Sequence, residues 1–134
     1  MNNVVLDASA VLAYLFEEAG AEMVSPVLET GSGLISSVNY AELVSKLIDQ
    51  GMPPSLIRET LFALELKLVD HDETQAFITG ELRAVSKACG LSLGDRACLA
   101  LGIAKQLPVL TADRAWLNVP VQTEVCVIRG ELRK

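Results

Sequence analysis

The chain has 134 residues, 51% of them hydrophobic, and a formal charge of −6. That size and apolar content suit one core, so a single domain over residues 1–134 is expected. Seventeen acidic against eleven basic residues exclude a protein that holds nucleic acid by a basic surface alone. Two bound divalent cations would change that balance, bringing the total from −6 to about −2.

The chain opens with a short apolar run, Asn3 to Leu6, stopping at Asp7, and Ala8 to Phe16 then has helical character. Further helices are predicted near 20–30, 38–50, 54–64, 73–89 and 95–106, with strands near 33–36, 66–69, 108–111 and 125–128. Gly31-Ser32-Gly33 reads as a helix stop and Gly51-Met52-Pro53-Pro54 as a helix-to-helix turn. Strands alternating with helices imply right-handed crossovers and a mostly parallel sheet covered on both faces, a three-layer α/β/α sandwich. No apolar run nears the roughly 18 residues of a membrane span, and Met1-Asn2-Asn3-Val4 lacks the basic region of a signal peptide. A cytoplasmic location is expected.

Cys89, Cys98 and Cys126 are odd in number and widely spaced, which indicates neither a disulfide framework nor a zinc site; they read as small buried hydrophobes. The single histidine, His71, lies in the polar stretch Asp70-His71-Asp72-Glu73 and reads as part of a solvated loop.

Ligands of parallel sheets bind beyond the carboxyl ends of the strands. Asp7 closes the first strand, and Asp113 follows Val109-Leu110-Thr111. Asp95 opens a helix that is apolar all round, Ala97 to Ala104, whose positive N-terminal end should point at the same edge. Each acid also has a plain structural reading. Asp7 suits the cap of the first helix, Asp95 a capping box with Ser92, and Asp113 the cap of the turn after it. A helical wheel puts Tyr40, Leu43, Val44, Leu47 and Ile48 on one side and Glu42 opposite, beside Ser45 and Asp49, on a solvated face. Together the picture changes: carboxylates about 5 Å apart repel by roughly 3 kcal/mol per pair at an effective dielectric of about 20. A fold tolerates that when a cation lies between them, and carboxylates without His or Cys suit Mg²⁺ or Mn²⁺ rather than zinc.

These residues resemble the PIN-domain nucleases, and more narrowly the VapC-type toxins of toxin-antitoxin pairs, over nearly the whole chain. The family's Val-Leu-Asp-Ala-Ser entry is similar to Val5–Ser9, and its helical Glu in a Ser-x-x-x-x-Glu stretch to Glu42 after Ser37. Its third and fourth acids look like Asp95, in Leu93-Gly94-Asp95-Arg96, and Asp113, at the end of Leu107-Pro108-Val109-Leu110-Thr111-Ala112-Asp113. The resemblance implies that Asp7 and Asp95 are the main metal ligands, with Glu42 and Asp113 completing the pocket. It implies hydrolysis of RNA phosphodiesters by water that Mg²⁺ or Mn²⁺ activates. Ser9 and Thr111, each two residues from an acid, are candidates to orient it, with local backbone capping as the alternative. Arg96 and Arg114 each follow an acid and are candidate RNA phosphate contacts, with surface salt bridges as the alternative.

Helices 38–50 and 54–64 carry Leu43, Leu47, Ile48, Leu56, Ile57, Leu61, Phe62 and Leu64, more apolar surface than a small sheet needs. Ordinary core packing accounts for most of these residues on the plain reading; the resemblance implies a homodimer and a cognate antitoxin as the occupants of any excess. Two other functions compete. A phosphotransferase or phosphatase with Asp7 as nucleophile would need a second Asp where Ser9 stands, or a Lys where Thr111-Ala112-Asp113 stands. A non-catalytic binding module with the same fold need not retain the four acids. No G-x-x-x-x-G-K-[ST], G-x-G-x-x-G or G-x-S-x-G occurs.

Overall fold

Along each of the three central strands, neighbouring side chains enter opposite cores, as a pleated strand covered on both faces requires. The computed structural model describes residues 2–129. Its strands are β1 (Val4–Leu6), β2 (Gly33–Ser36), β3 (Lys67–Val69), β4 (Val109–Thr111) and β5 (Val125–Val127). They form one sheet in the order β3-β2-β1-β4-β5, every pairing parallel. Val5, Leu34 and Val109 face one core; Leu6, Ile35 and Leu110 face the other. A one-residue slip in any of them would exchange the faces, so the register is strongly determined.

The helices are α1 (Ala8–Leu15), α2 (Ala21–Glu29), α3 (Ser37–Asp49), α4 (Pro54–Ala63), α5 (Glu73–Glu81), α6 (Arg83–Ser86) and α7 (Leu93–Lys105). The first four pack with Leu6, Ile35 and Leu110 through residues such as Val11, Val24, Leu43 and Leu61. On the opposite face α7 contributes Cys98 to Leu101, joined by Leu82, Trp116 and Val119. This is the three-layer arrangement expected from the alternation of elements. Gly102 lets α7 lie close on the sheet: a β-carbon there would stand 2.5 Å from Val109 Cγ2.

Three local expectations need correction. The helix anticipated over 73–89 is broken into α5, α6 and a 3-10 turn at Lys87–Cys89. Near the break Ser86 Oγ donates to the Leu82 carbonyl at 2.7 Å, a bond that competes with the helical ladder, and Gly90 ends the segment at φ 71°. Cys98 is buried, but Cys89 and Cys126 are only half-buried. His71 is half-buried rather than solvated, its backbone N–H donating to Ser37 Oγ at 3.0 Å.

Candidate active site

With this strand order the chain starts in the middle of the sheet, runs outward through β2 and β3, and returns to the other side of β1 at β4. The carboxyl ends of β1 and β4 are therefore the switch point, where loops diverge and leave a crevice. Asp7 lies there. Its backbone N–H donates to the Leu110 carbonyl at 2.9 Å, which ties it to β4.

Asp7 occupies the N-cap position of α1, yet its side chain caps no backbone amide. Its Oδ2 instead accepts from Ser9 Oγ at 2.6 Å and from Thr111 Oγ1 at 3.1 Å. Both hydroxyls are oriented by amides from beyond β4: Ala112 N–H donates to Ser9 Oγ at 3.0 Å and Asp113 N–H to Thr111 Oγ1 at 3.1 Å. Each hydroxyl thus receives one hydrogen and passes its own to Asp7. The carboxylate is only 5% exposed. Burial pushes its pKa up to about 6, the negative charges of Asp95 and Glu42 add to the rise, and the two hydroxyls oppose it. The same three charges, after burial, raise the Cys98 thiol, which places that side chain beside the acidic cluster.

Asp95 stands in the first turn of α7 within a full capping box: its Oδ2 accepts from Ser92 N–H at 2.9 Å, and Ser92 Oγ accepts from Asp95 N–H at 3.2 Å. Glu42 departs from the helical wheel. It is half-buried, and it lies over Gly94 at the start of α7 rather than in solvent. Asn39, fully buried and absent from the residues that the sequence suggested, donates its amide to Glu42 Oε1 at 3.0 Å. Asp113 is exposed and caps the 3-10 turn Arg114–Asn118, its Oδ1 accepting from Ala115 N–H at 2.9 Å. Asp95 and Glu42 are thus both within electrostatic reach of Asp7, whereas Asp113 caps the turn that follows it.

Arg96 is a correction. It is buried, and its Nη1 donates to the Thr79 carbonyl of α5 at 2.9 Å. A guanidinium held between two helices is not displayed to a phosphate. Arg114 is exposed.

The donor set suits a hard divalent cation, being carboxylates without imidazole or thiolate among them. Asp7 Oδ1 is the oxygen not engaged by Ser9 and Thr111. Among the described residues no three acidic, His or Cys side chains close on one point as metal ligands would. One Asp95 oxygen is engaged by the Ser92 amide.

The PIN-domain family model matches residues 4–122. The chain belongs to the PIN-domain family. Comparison with curated proteins found no match. Solved structures share the PIN fold along nearly their whole length. DNA-bound VapBC from Salmonella typhimurium superposes with TM-score 0.71 at 20% identity, covering 96% of this chain and 99% of that one. A toxin-antitoxin complex from Klebsiella pneumoniae gives 0.70 at 16%, covering 94% and 98%. VapBC-5 from Mycobacterium tuberculosis gives 0.62 at 20%, covering 97% and 100%. In this PIN domain, as among the described residues generally, no helix is long and apolar enough to cross a membrane.

Proposed function

We propose that residues 1–134 act as one PIN nuclease domain, a Mg²⁺- or Mn²⁺-dependent endoribonuclease that works in the cytoplasm as the VapC-type toxin of a type II toxin-antitoxin pair. Asp7 carries the reading: a carboxylate in an N-cap position that caps nothing and is buried where the charges of Asp95 and Glu42 both bear on it. Keeping such a group out of solvent beside two like charges is unfavourable unless the crevice receives positive charge. The family match and the toxin-antitoxin complexes among its structural relatives support the same class.

Asp7, Asp95 and Glu42 would hold the ion, with Asp113 at the exposed rim. When bound, Mg²⁺ or Mn²⁺ supplies Lewis acidity toward water and a phosphate oxygen. Ser9 and Thr111 fix the direction of the Asp7 carboxylate, and the N-terminal end of α7 favours the phosphate's negative charge. Arg114, exposed beside Asp113, is the remaining candidate for a phosphate contact. Reversing its charge should weaken RNA binding more at low salt than at high.

Partners would fit the apolar residues that α3 and α4 leave outside the core. Leu43, Leu47, Ile57 and Leu61 are consumed by the core, but Ile48, Leu56 and Phe62 are exposed. A groove of about 690 Å³ between α4 and β3 is lined by Phe62, Tyr40, Leu66 and Leu68 together with the charged Arg58 and Glu59. This surface suits a second copy or an antitoxin segment.

The test is cleavage of a mixed tRNA and ribosomal RNA pool by purified protein with Mg²⁺ or Mn²⁺, with EDTA, and with Asp7→Asn or Asp95→Asn. Defined cuts lost with EDTA and in both variants support the nuclease. No cleavage together with no metal binding by calorimetry overturns it in favour of a non-catalytic PIN module.

A further inference from the structure

Asn39 is 0% exposed, on α3, three residues before Glu42. Its amide nitrogen donates to Glu42 Oε1 at 3.0 Å and to the Gly94 carbonyl at 3.0 Å. Both partners are acceptors, so only the nitrogen end of the amide can face them, and its two hydrogens are both used. The oxygen end, Oδ1, is buried with no partner among the described residues. An apolar side chain in this core position would carry no such burial cost, so the amide is kept for what its nitrogen does.

Gly94 faces the same carboxylate from α7. A β-carbon built there overlaps the Glu42 carboxylate oxygens. The backbone at Gly94 is ordinary helix within α7, so the glycine is needed for clearance and not for its conformational freedom. Glu42 is thus held from one side by a donor and admitted on the other by a missing side chain, one residue before Asp95.

We propose that Asn39 and Gly94 form the seat that holds the Glu42 carboxylate in the acidic pocket, Asn39 as a positioning residue and Gly94 as the space it occupies. Asn39 sets the pocket's affinity for a divalent cation without touching the ion. This inference rests on the reading of the pocket as a Mg²⁺ or Mn²⁺ site.

The experiment is calorimetric titration of Mn²⁺ and Mg²⁺ into wild type, Glu42→Gln, Asn39→Leu, the Asn39→Leu/Glu42→Gln double variant and Gly94→Ala, with thermal unfolding of each metal-free protein. Asn39→Leu and Gly94→Ala are expected to bind Mn²⁺ at least about 10-fold more weakly. The double variant should bind no more weakly than Glu42→Gln alone, because losses that act through one carboxylate do not add. Asn39→Ala gives the same comparison if Asn39→Leu does not unfold cooperatively. Wild-type affinity in the Asn39 variant, or a double variant weaker than Glu42→Gln by the full factor of Asn39→Leu, overturns the seat and leaves the pocket standing. Unchanged affinity in Gly94→Ala removes the glycine's part. Wild-type affinity in Glu42→Gln overturns the seat and Glu42's part as a ligand while Asp7 and Asp95 still hold the ion; a wild-type protein that binds neither ion overturns the metal reading as well.

Discussion

Replacing Asp7 by Asn should make the metal-free protein more stable at neutral pH, and by an amount that depends on pH. The Asp7 carboxyl has its pKa raised from an ordinary 3.8 to about 6, chiefly by burial. The folded state therefore binds a proton more tightly than the unfolded chain, and stability falls as pH rises through that window. Above about pH 6 the ionised side chain costs on the order of 3 kcal/mol; below pH 3.8 it costs nothing. Asn keeps an oxygen for the Ser9 and Thr111 hydroxyls and carries no charge. The variant should therefore gain up to about 3 kcal/mol at pH 7.5, a rise in melting temperature on the order of 10 °C, and almost nothing at pH 4. Differential scanning calorimetry of both proteins in EDTA across pH 4 to 8 makes the comparison. A gain that does not vary with pH, or a less stable Asn variant at pH 7.5, would refute the assignment of that cost to the Asp7 charge. Adding Mg²⁺ or Mn²⁺ at pH 7.5 should raise the wild type and leave the variant where it was, since an ion that binds only the folded state stabilises it.

Thr111→Val should lower stability by about 1 to 2 kcal/mol in urea denaturation, because it removes the donor to Asp7 and the acceptor for Asp113 N–H. That loss should be larger at pH 7.5, where Asp7 is ionised, than at pH 4. Arg96→Glu should cost about 3 to 5 kcal/mol by placing a buried carboxylate against the Thr79 carbonyl, whereas Arg96→Lys, which keeps the charge, should cost less. Circular dichroism melts separate the two Arg96 variants. Phe62, 87% exposed, can become Asp with a stability change within about 0.5 kcal/mol, and light scattering should then show less dimer. A wild-type protein that stays monomeric at every concentration removes the homodimer from the reading.

The layered sheet was legible because short apolar runs and helical stretches alternate along the chain, and a mostly parallel sheet covered on both faces follows from that alternation. The site was harder to read. An Asp after a strand is equally suited to cap a helix or to serve a pocket, and only the placement of Ser9 and Thr111 on Asp7 distinguishes the two. Asp95 does both at once in the sense that its capping box is formed and its charge still bears on Asp7. The wheel misplaced Glu42 and Ile48, since α7 arrives on the side that periodicity assigns to water while Ile48 is left exposed. Asn39 did leave a signal: it precedes Leu43 and Leu47 by one and two turns on the buried stripe of α3. A polar side chain in such a stripe requires a partner, and the sequence alone could not say that the partner was an acid.

The bond from Thr111 to Asp7 joins residues 104 positions apart, and β1 is flanked by an early strand on one side and a late one on the other. During synthesis β1 can find β2 soon after it emerges, but the crevice has only one wall until β4 follows. Asp7 would stand until then without the hydroxyl that Thr111 supplies. A ribosome interrupted before that point releases a fragment with no assembled pocket, so the crevice is completed only when most of the chain has been made.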